Sequence, residues 1–226
     1  MALNIQTFKT RSLSAIVFVL IVFSALFING YVFTGFFLLV GIGCMYEYLN
    51  LLKKIKTNGY SWWLIAGLLY ITLPVLCLID LGTSILENRT LDNYSALFPC
   101  MVIFSMWIND TMAYIVGSFI GKTQLSKISP KKTWEGTLGG IILCIGVVSI
   151  FGLLYPNHIS AKQAAILAAI CAIAGTFGDL LESKLKRMAN VKDSGNIMPG
   201  HGGFLDRFDS LLLAAPCAWI YVKWLM

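Results

Sequence analysis

Two aspartates lie inside long apolar stretches of the sequence, where a charged side chain is costly. Asp110 falls near the middle of residues 97–120, and Asp179 falls near the end of residues 164–181. A carboxylate in such surroundings requires a cation, a hydrogen-bond donor or a water-filled cavity. Both aspartates are therefore candidates for function, with Asn109 lining the same polar cavity as its neighbour Asp110.

Glu47 stands near the end of another apolar stretch, and a structural role is favoured for it. At that position the carboxylate could reach the water of the lipid headgroups, or it could pair with Lys53 or Lys54.

Charged residues are densest between Asp179 and Asp209, where the sequence has five acidic and five basic side chains. If the apolar stretch continues as a helix, Asp179, Glu182 or Ser183, and Lys186 share one face of it. The chain is expected to leave this helix near Asn190. A turn with glycines at 200, 202 and 203 follows, and such a turn permits positive φ and lets backbone N–H groups approach a ligand.

Asp206 and Asp209 lie three residues apart, which places both on one face of a helix. Joined by Asp179 from a neighbouring helix, they would form the hard oxygen site that Mg²⁺ prefers. In the alternative interpretation, the two aspartates only pair with Arg207 or Lys186 at a helix end. That alternative explains one or two charges but not the whole cluster, so a phosphate and metal site is favoured.

A second polar segment, residues 121–136, is rich in hydrogen-bond donors. Pro130 and Gly136 bracket a turn that contains Lys131 and Lys132 together with hydroxyl groups and an indole N–H. Lysine ammonium groups suit phosphate oxygens. For Lys122 and Lys127 in the same segment, an ordinary basic loop is an adequate explanation.

The elements that position these residues follow from composition. Of the 226 residues, 58% are hydrophobic and 12% charged, and the mean hydropathy is +0.77. Soluble domains carry about 25% charged residues, so a water-facing surface is excluded. We predict an all-α, polytopic integral membrane helical bundle of about seven transmembrane helices, with short or re-entrant segments left open. The predicted spans are residues 13–28, 31–49, 62–79, 97–120, 138–155, 164–181 and 211–225, the last of them expected to begin earlier.

The basic residues support this map because 14 of the 17 lie in regions that seven spans place on one side. Cytoplasmic loops are enriched in Lys and Arg, so the N-terminus and both polar segments should be cytosolic. The same bias explains the net charge of +6 without a nucleic-acid partner. The six cysteines are spread through the apolar spans and indicate no metal site or disulfide framework. Residues 1–226 form one domain, with N-terminal helices in 1–96 and a catalytic part in 97–226.

Three segments carry a family resemblance. The longest reads Ser183-x-Leu185-Lys186-Arg187-x4-Lys192-Asp193-x-Gly195, then Pro199-x-His201-Gly202-Gly203-x2-Asp206-Arg207-x-Asp209. It resembles the signature of the phosphatidate cytidylyltransferases (CDP-diacylglycerol synthases), with Met198 where that family has Leu, Ile or Phe. The segments 129–136 and 110–114 resemble two further motifs, the latter with Met112 in place of Gly. The likeness covers the chain well from Asp110 onward and the first two spans loosely.

The resemblance implies transfer of a cytidylyl group from CTP to phosphatidate, with release of diphosphate. It implies Mg²⁺ held by Asp179 and Asp206 with Asp209, a second cation such as K⁺ left open, and a homodimer. A short chain without targeting extensions suits a bacterial inner membrane. The catalytic residues would be Asp179, Asp206, Lys131, Lys132 and Arg187. The substrate-binding residues would be Asp110, Ser129, Ser183, Lys186, Lys192, Asp193, His201, Gly202, Gly203 and Arg207.

Two alternatives to this function are a related enzyme with another lipid substrate and a transporter. A related enzyme could use CTP on another lipid, as a cytidylyltransferase for an ether-lipid phosphate or a CTP-dependent polyprenol kinase. A transporter could use intramembrane carboxylates to move protons or cations. Transporters tend to show inverted repeats and helices broken near the midplane, whereas the polar residues here cluster on one side.

Overall fold

The computed structural model describes residues 5–55, 60–87, 90–197 and 202–226, and helices dominate these ranges. The helices are α1 (Ile5–Phe27), α2 (Gly30–Lys54), α3 (Tyr60–Gly67), α4 (Leu73–Thr83), α5 (Leu97–Ile120), α6 (Trp134–Leu154), α7 (Ala161–Met188), α8 (Leu205–Phe208) and α9 (Leu211–Ile220). Within the described ranges, β-type structure consists of isolated bridge residues, among them Gln124 and Thr133, which pair in the antiparallel sense. The predicted all-α class is confirmed.

Every predicted span has a helical counterpart. Five helical stretches in the described residues are long and apolar enough to cross a membrane, and two shorter apolar ones accompany them, Ser12–Phe27 and Leu211–Leu225. Large apolar side chains also lie exposed on the outside of the helices: Ile142 is 67% exposed and Leu39 is 65% exposed. Such surfaces suit lipid rather than water, and the protein is an integral membrane protein.

Several predicted boundaries need correction. The third span is not one regular helix, because a π-helical turn, Leu68–Thr72, joins α3 to α4. The seventh span was expected to begin before Leu211, but α9 starts at that residue. The short helix α8 precedes it as a separate element. The chain turns at Asp209, where the Ser210 N–H donates to the Asp209 side chain at 2.6 Å. A side chain that takes up a backbone N–H in this way competes with helix continuation.

The described chain forms two compact units. The first comprises Met1–Ala96 and Leu185–Phe208, and its core is lined by aromatic residues of α2 and α8. The ring of Phe208 packs edge-on against Phe18, Phe36 and Phe37, with centroids 5.7, 6.5 and 6.2 Å away. These contacts hold the short helix α8 against α1 and α2, although four residues alone would not form a stable helix in water.

The second unit comprises Leu97–Lys184 and Asp209–Met226. Its most closely packed helix pair is α5 with α6, and small residues lie where the two helices cross. A Cβ atom added to Gly140 would lie 2.8 Å from both the Ala113 Cβ and the Asn109 carbonyl oxygen. Small residues at such a crossing allow the backbones of two membrane helices to approach closely. The polar segment 121–133 joins these two closely packed helices.

Candidate active site

The segment between α5 and α6 is a short hairpin, here called the basic hairpin, residues 121–133. The Leu125 N–H donates to the Lys132 carbonyl at 2.8 Å, and the Lys132 N–H donates to the Ser129 carbonyl at 3.1 Å. The second bond closes the four-residue turn 129–132. Pro130 is the second residue of this turn, a position that suits the fixed φ of proline. The predicted turn is therefore present, and it places Lys131 at the tip and Lys132 just behind it.

Glu135 fastens the start of the basic hairpin to α6. Its carboxylate accepts the backbone N–H of Lys122 at 3.2 Å and that of Thr123 at 3.1 Å. The Thr133 hydroxyl accepts the Gly136 N–H at 3.1 Å and caps the helix. The hairpin is thus rigidly joined to α6 at both of its ends, and the position of its lysines follows from the position of the helix.

Lys132 forms an ion pair with Asp179 of α7 within the second unit. The Ser183 hydroxyl, one turn further along α7, donates to the other oxygen of Asp179 at 3.2 Å. The charges of Lys132 and Asp179 also act on Asp110, whose carboxylate accepts a hydrogen bond from the Asn109 amide at 3.4 Å. Four residues predicted from three separate sequence segments therefore belong to one polar cluster: Asp110, Lys132, Asp179 and Ser183.

The helix α7 ends as the sequence predicts, near Asn190. This residue has a positive φ of 54°. Its N–H donates to the Arg187 carbonyl at 3.1 Å, while the Val191 N–H donates to the Lys186 carbonyl at 3.0 Å. The pair of bonds is a Schellman motif, which satisfies the last carbonyl groups of a helix and turns the chain away from its axis.

Asp206 lies in the first unit and is surrounded by donors. Its Oδ1 faces the Lys186 ammonium at 2.6 Å. Its Oδ2 accepts the Ser194 N–H at 2.8 Å, the Ser194 hydroxyl at 2.9 Å and the Gly203 N–H at 2.8 Å. Burial alone would raise the pKa of this carboxyl, but the bonds from Gly203, Lys186 and Ser194 together hold the pKa below its usual value.

Gly202 is required by this arrangement for two reasons. Its φ is +83°, a conformation that residues with a Cβ rarely adopt. A Cβ at this position would also collide with the carboxylate of Asp206. The prediction that glycines bring backbone N–H groups close to an anion is met here by the chain's own carboxylate, through Gly203. His201, predicted as a phosphate donor, lies outside the described residues.

Glu47, for which the sequence favoured a structural role, has partners that the sequence did not reveal. It is 3% exposed, so the expectation that it reaches headgroup water is wrong. Its carboxylate accepts hydrogen bonds from the Ser194 hydroxyl at 2.7 Å, the Phe204 N–H at 3.0 Å and the Leu205 N–H at 2.9 Å. The proposed pairing with Lys53 or Lys54 is replaced by these contacts, about 150 residues away in the chain. The sequence signal for Glu47 was a carboxylate at the end of an apolar stretch. The spacing of residues along the chain could not identify its partners.

The remaining predicted residues differ in exposure. Ser129 is half-buried. The exposed charged residues are Lys131, Arg187, Lys192, Asp193 and Arg207. Exposed cations of this kind are available to phosphate groups.

The predicted metal ligands are distributed over both units: Asp206 in the first, Asp179 and Asp209 in the second. Asp209 does not share a helical face with Asp206, because α8 ends at Phe208. Among the described residues, no group of three or more His, Cys, Asp or Glu side chains is placed to hold a metal ion. The three-aspartate metal site stays a prediction.

Each unit thus pairs a carboxylate with a lysine at a place where the chain leaves a membrane helix. Such groups suit the binding of phosphate-bearing ligands and their counter-cations at the level of lipid headgroups. The fold defines a helical membrane protein, and each unit presents one such pair of opposite charges. The chain belongs to the cytidylyltransferase family, whose model matches residues 56–225.

Known relatives agree with this assignment. A phosphatidate cytidylyltransferase of Rickettsia bellii is 37% identical over 186 residues, which cover 79% of this chain and 75% of the relative. One of Rickettsia prowazekii is 36% identical over 228 residues, covering 96% and 94%. A phosphatidate cytidylyltransferase of Bacillus subtilis is 43% identical over 132 residues, covering 58% of this chain. The match spans about half the length of the Bacillus relative, at 49%.

Proposed function

We propose that this protein is a phosphatidate cytidylyltransferase, which converts CTP and phosphatidate into CDP-diacylglycerol and diphosphate. The observation that carries the proposal is the 36% identity to a Rickettsia prowazekii enzyme of that name across 96% of the chain. The cluster of Lys132, Asp179 and Asp110 supports it, because groups for binding a polyphosphate and its counter-cation are held beside membrane helices.

In the proposed reaction, an oxygen of the phosphatidate phosphate attacks the α-phosphorus of CTP. A new P–O bond forms there, the bond to the β-phosphate oxygen breaks, and diphosphate leaves with the electron pair. A phosphomonoester has a second pKa near about 6, so the attacking oxygen is already anionic and no general base is required. The work of the protein is alignment and charge neutralisation.

The chain's own residues divide this work. Lys131 and Lys132 of the basic hairpin, with Arg187 and Lys192, would neutralise the triphosphate and the phosphatidate headgroup. Ser183 would donate to a phosphate oxygen in place of its present bond to Asp179. The hairpin turn and the Glu135 contacts keep the two hairpin lysines in place.

Mg²⁺ fits the donor chemistry of Asp179 better than that of the other predicted ligands. The Asp179 side chain is 25% exposed and already faces a cation, the ammonium of Lys132. Oδ2 of Asp206 accepts three hydrogen bonds, which leaves Oδ1, the partner of Lys186, as its available oxygen. We therefore assign Asp179 as the main ligand, with Asp206 Oδ1 and Asp209 as further candidates and a second cation such as K⁺ left open. When bound, Mg²⁺ would offset the negative charge of the triphosphate.

The proposed location is a bacterial inner membrane, with the N-terminus and the active site on the cytosolic side. Phosphatidate keeps its acyl chains in lipid while CTP arrives from the cytosol, so the phosphates must meet at headgroup level. The excess of Lys and Arg in the segments around Lys132 and Lys186 favours that side. A homodimer is proposed by analogy with the family.

The decisive experiment supplies the purified protein in detergent with labelled CTP, Mg²⁺ and either phosphatidate or a polyprenol. Label in a lipid product that depends on phosphatidate is the expected result. Label transferred to the polyprenol would indicate a kinase instead, and no lipid product with either substrate would contradict both assignments.

A matched pair of lysine variants tests the site within the same assay. Lys132→Ala removes the ion pair with Asp179 and should lower kcat about 100-fold or more, as expected for loss of an electrostatic contact to the reacting phosphates. Lys127→Ala removes an exposed charge from the same hairpin and should leave kcat nearly unchanged. Equal effects of the two replacements would mean that the hairpin contributes only general positive charge.

A further inference from the structure

Glu47 is a buried carboxylate in a membrane helix, and the hydrogen-bond donors that the described structure places on it all come from one distant segment. The described part of that segment, residues 189–197 and 202–205, is here called the signature loop. Within it, the Phe204 and Leu205 N–H groups and the Ser194 hydroxyl donate to Glu47 at 2.7–3.0 Å. A carboxylate that is 3% exposed requires such donors, and the donors in turn require an acceptor.

The signature loop is shaped to fit around this carboxylate. A Cβ atom at Gly195 or at Gly203 would collide with the carboxylate oxygens of Glu47. Neither glycine has a positive φ, so backbone conformation does not explain them. The two positions therefore lack a side chain because the Glu47 carboxylate occupies the space where one would lie.

The same loop also binds Asp206, and the two carboxylates share one donor, the Ser194 hydroxyl. The Ser194 hydroxyl lies 2.7 Å from Oε2 of Glu47 and 2.9 Å from Oδ2 of Asp206. Gly203 contributes its N–H to Asp206 and packs against Glu47. A displacement of the loop from Glu47 would therefore also remove the three donor groups of Ser194 and Gly203 that hold Asp206 beside Lys186.

We infer that Glu47 is a positioning residue: its carboxylate holds the signature loop, through Ser194, Phe204 and Leu205, so that Asp206 and Lys186 are correctly placed for the reaction. The inference rests on the proposed function for the reaction itself, but the contacts that carry it do not. Glu47 lies outside residues 56–225, which the family model matches, and in this inference it acts on the substrate only through the loop.

Kinetics give the first test. Glu47→Ala should lower kcat about 100-fold with a much smaller change in KM for CTP, since misplacement by about 1 Å can cost that much. Glu47→Gln keeps one acceptor oxygen and should recover part of the loss. Asp80→Asn is the matched control: Asp80 is a buried carboxylate of the same unit, 4% exposed, and accepts the Leu86 N–H at 2.8 Å, far from the loop in sequence.

Amide hydrogen exchange gives a second test that does not depend on activity. In Glu47→Ala, peptides that contain Ser194 or the Gly203–Leu205 amides should exchange about tenfold faster or more, as expected when local protection is lost. Peptides from α5 and α6 should not change, nor should any loop peptide in Asp80→Asn. A protein that lacks the proposed activity but shows this exchange pattern would contradict the proposed function and leave the positioning of the loop supported.

The glycine contact supplies a third test, which also covers the case that Glu47→Ala fails to fold. Gly195→Ala should by itself accelerate loop exchange and lower kcat, because its Cβ meets the Glu47 carboxylate. In the Glu47→Ala background, the same glycine replacement should add little, so the two effects are coupled. Additive effects, or a Glu47→Gln or Gly195→Ala protein with wild-type exchange and kcat, would overturn the inference.

Discussion

Asp206 combines two roles that the sequence presented as alternatives. The functional interpretation made it a metal ligand, and the structural one made it the partner of Lys186 or Arg207 in an ion pair. The ion pair with Lys186 is present, at 2.6 Å, yet it is one of four hydrogen bonds on this carboxylate. The other three come from Ser194 and Gly203, so Asp206 organises the signature loop whether or not it also meets a cation.

The lowered pKa of Asp206 predicts an acid-sensitive contribution to stability. Because the folded protein holds this proton less tightly than the unfolded chain does, the contribution is complete above the ordinary Asp pKa of about 4. It is lost as the pH falls from there through the lowered value. The melting temperature of Asp206→Asn in detergent should therefore lie below that of the wild type at pH 6, and the gap should narrow below about pH 4.

Asp193→Asn is the control for that measurement, because it removes a charge from an exposed position in the same loop. A gap between wild type and Asp206→Asn that stays constant from pH 6 to pH 3 would contradict the ionic role of the carboxylate. It would indicate that only the shape of the side chain matters.

At the scale of the helix, the α5–α6 crossing depends on glycines that can be separated by substitution. Gly140→Ala should destabilise the protein by about 1–3 kcal/mol through overpacking, since its Cβ would lie 2.8–2.9 Å from atoms of Asn109 and Ala113. Gly146→Ala, on the same helix, meets nothing within 4 Å and should be neutral or stabilising by up to about 1 kcal/mol. Unfolding in mixed detergent measures both, and equal stabilities would mean that the crossing is not closely packed.

The elements also show which parts of the fold were predictable. Apolar length and turn residues predicted the helices well: α2 starts at Gly30 after the Asn29 cap, whose side chain accepts the Val32 N–H at 2.8 Å. The end of α7 near Asn190 was predicted for similar local reasons. The break between α8 and α9 was missed, because it depends on a local bond of the Asp209 side chain and on the ring contacts of Phe208.

The contacts of the candidate site likewise include some that the sequence predicts and others that it does not. Ser183 bonds to Asp179 one turn away, a contact that helical spacing alone predicts. The pairing of Glu47 with the signature loop joins residues about 150 positions apart, and no local pattern encodes it. The family resemblance indicated which residues matter in the C-terminal part, but it did not indicate that a residue of α2 holds them.

For the molecule as a whole, the open question with the clearest test is how many helices cross the membrane. The helix pieces Ser12–Phe27 and Leu211–Leu225 are the short ones. At about 1.5 Å per residue, the latter spans roughly 22 Å of a core of about 30 Å. Each piece has further helical residues next to it in the chain: α1 begins at Ile5, and α8 precedes α9. If both cross, the basic hairpin and the signature loop lie on the same side as the N-terminus.

Alkaline phosphatase, which is active only outside the cytosol, can report each position as a fusion. Seven crossings predict active fusions after Asn29, Asp92, Asn157 and Met226, and inactive fusions after Ser126 and Asn196. Fluorescence of green fluorescent protein at the same six sites should give the reverse pattern. An inactive phosphatase fusion at Asn29 would show that α1 does not cross, and one at Met226 would show the same for the last helix. Activity at Ser126 or Asn196 would contradict the cytosolic site itself, since CTP could not reach lysines that face away from the cytosol.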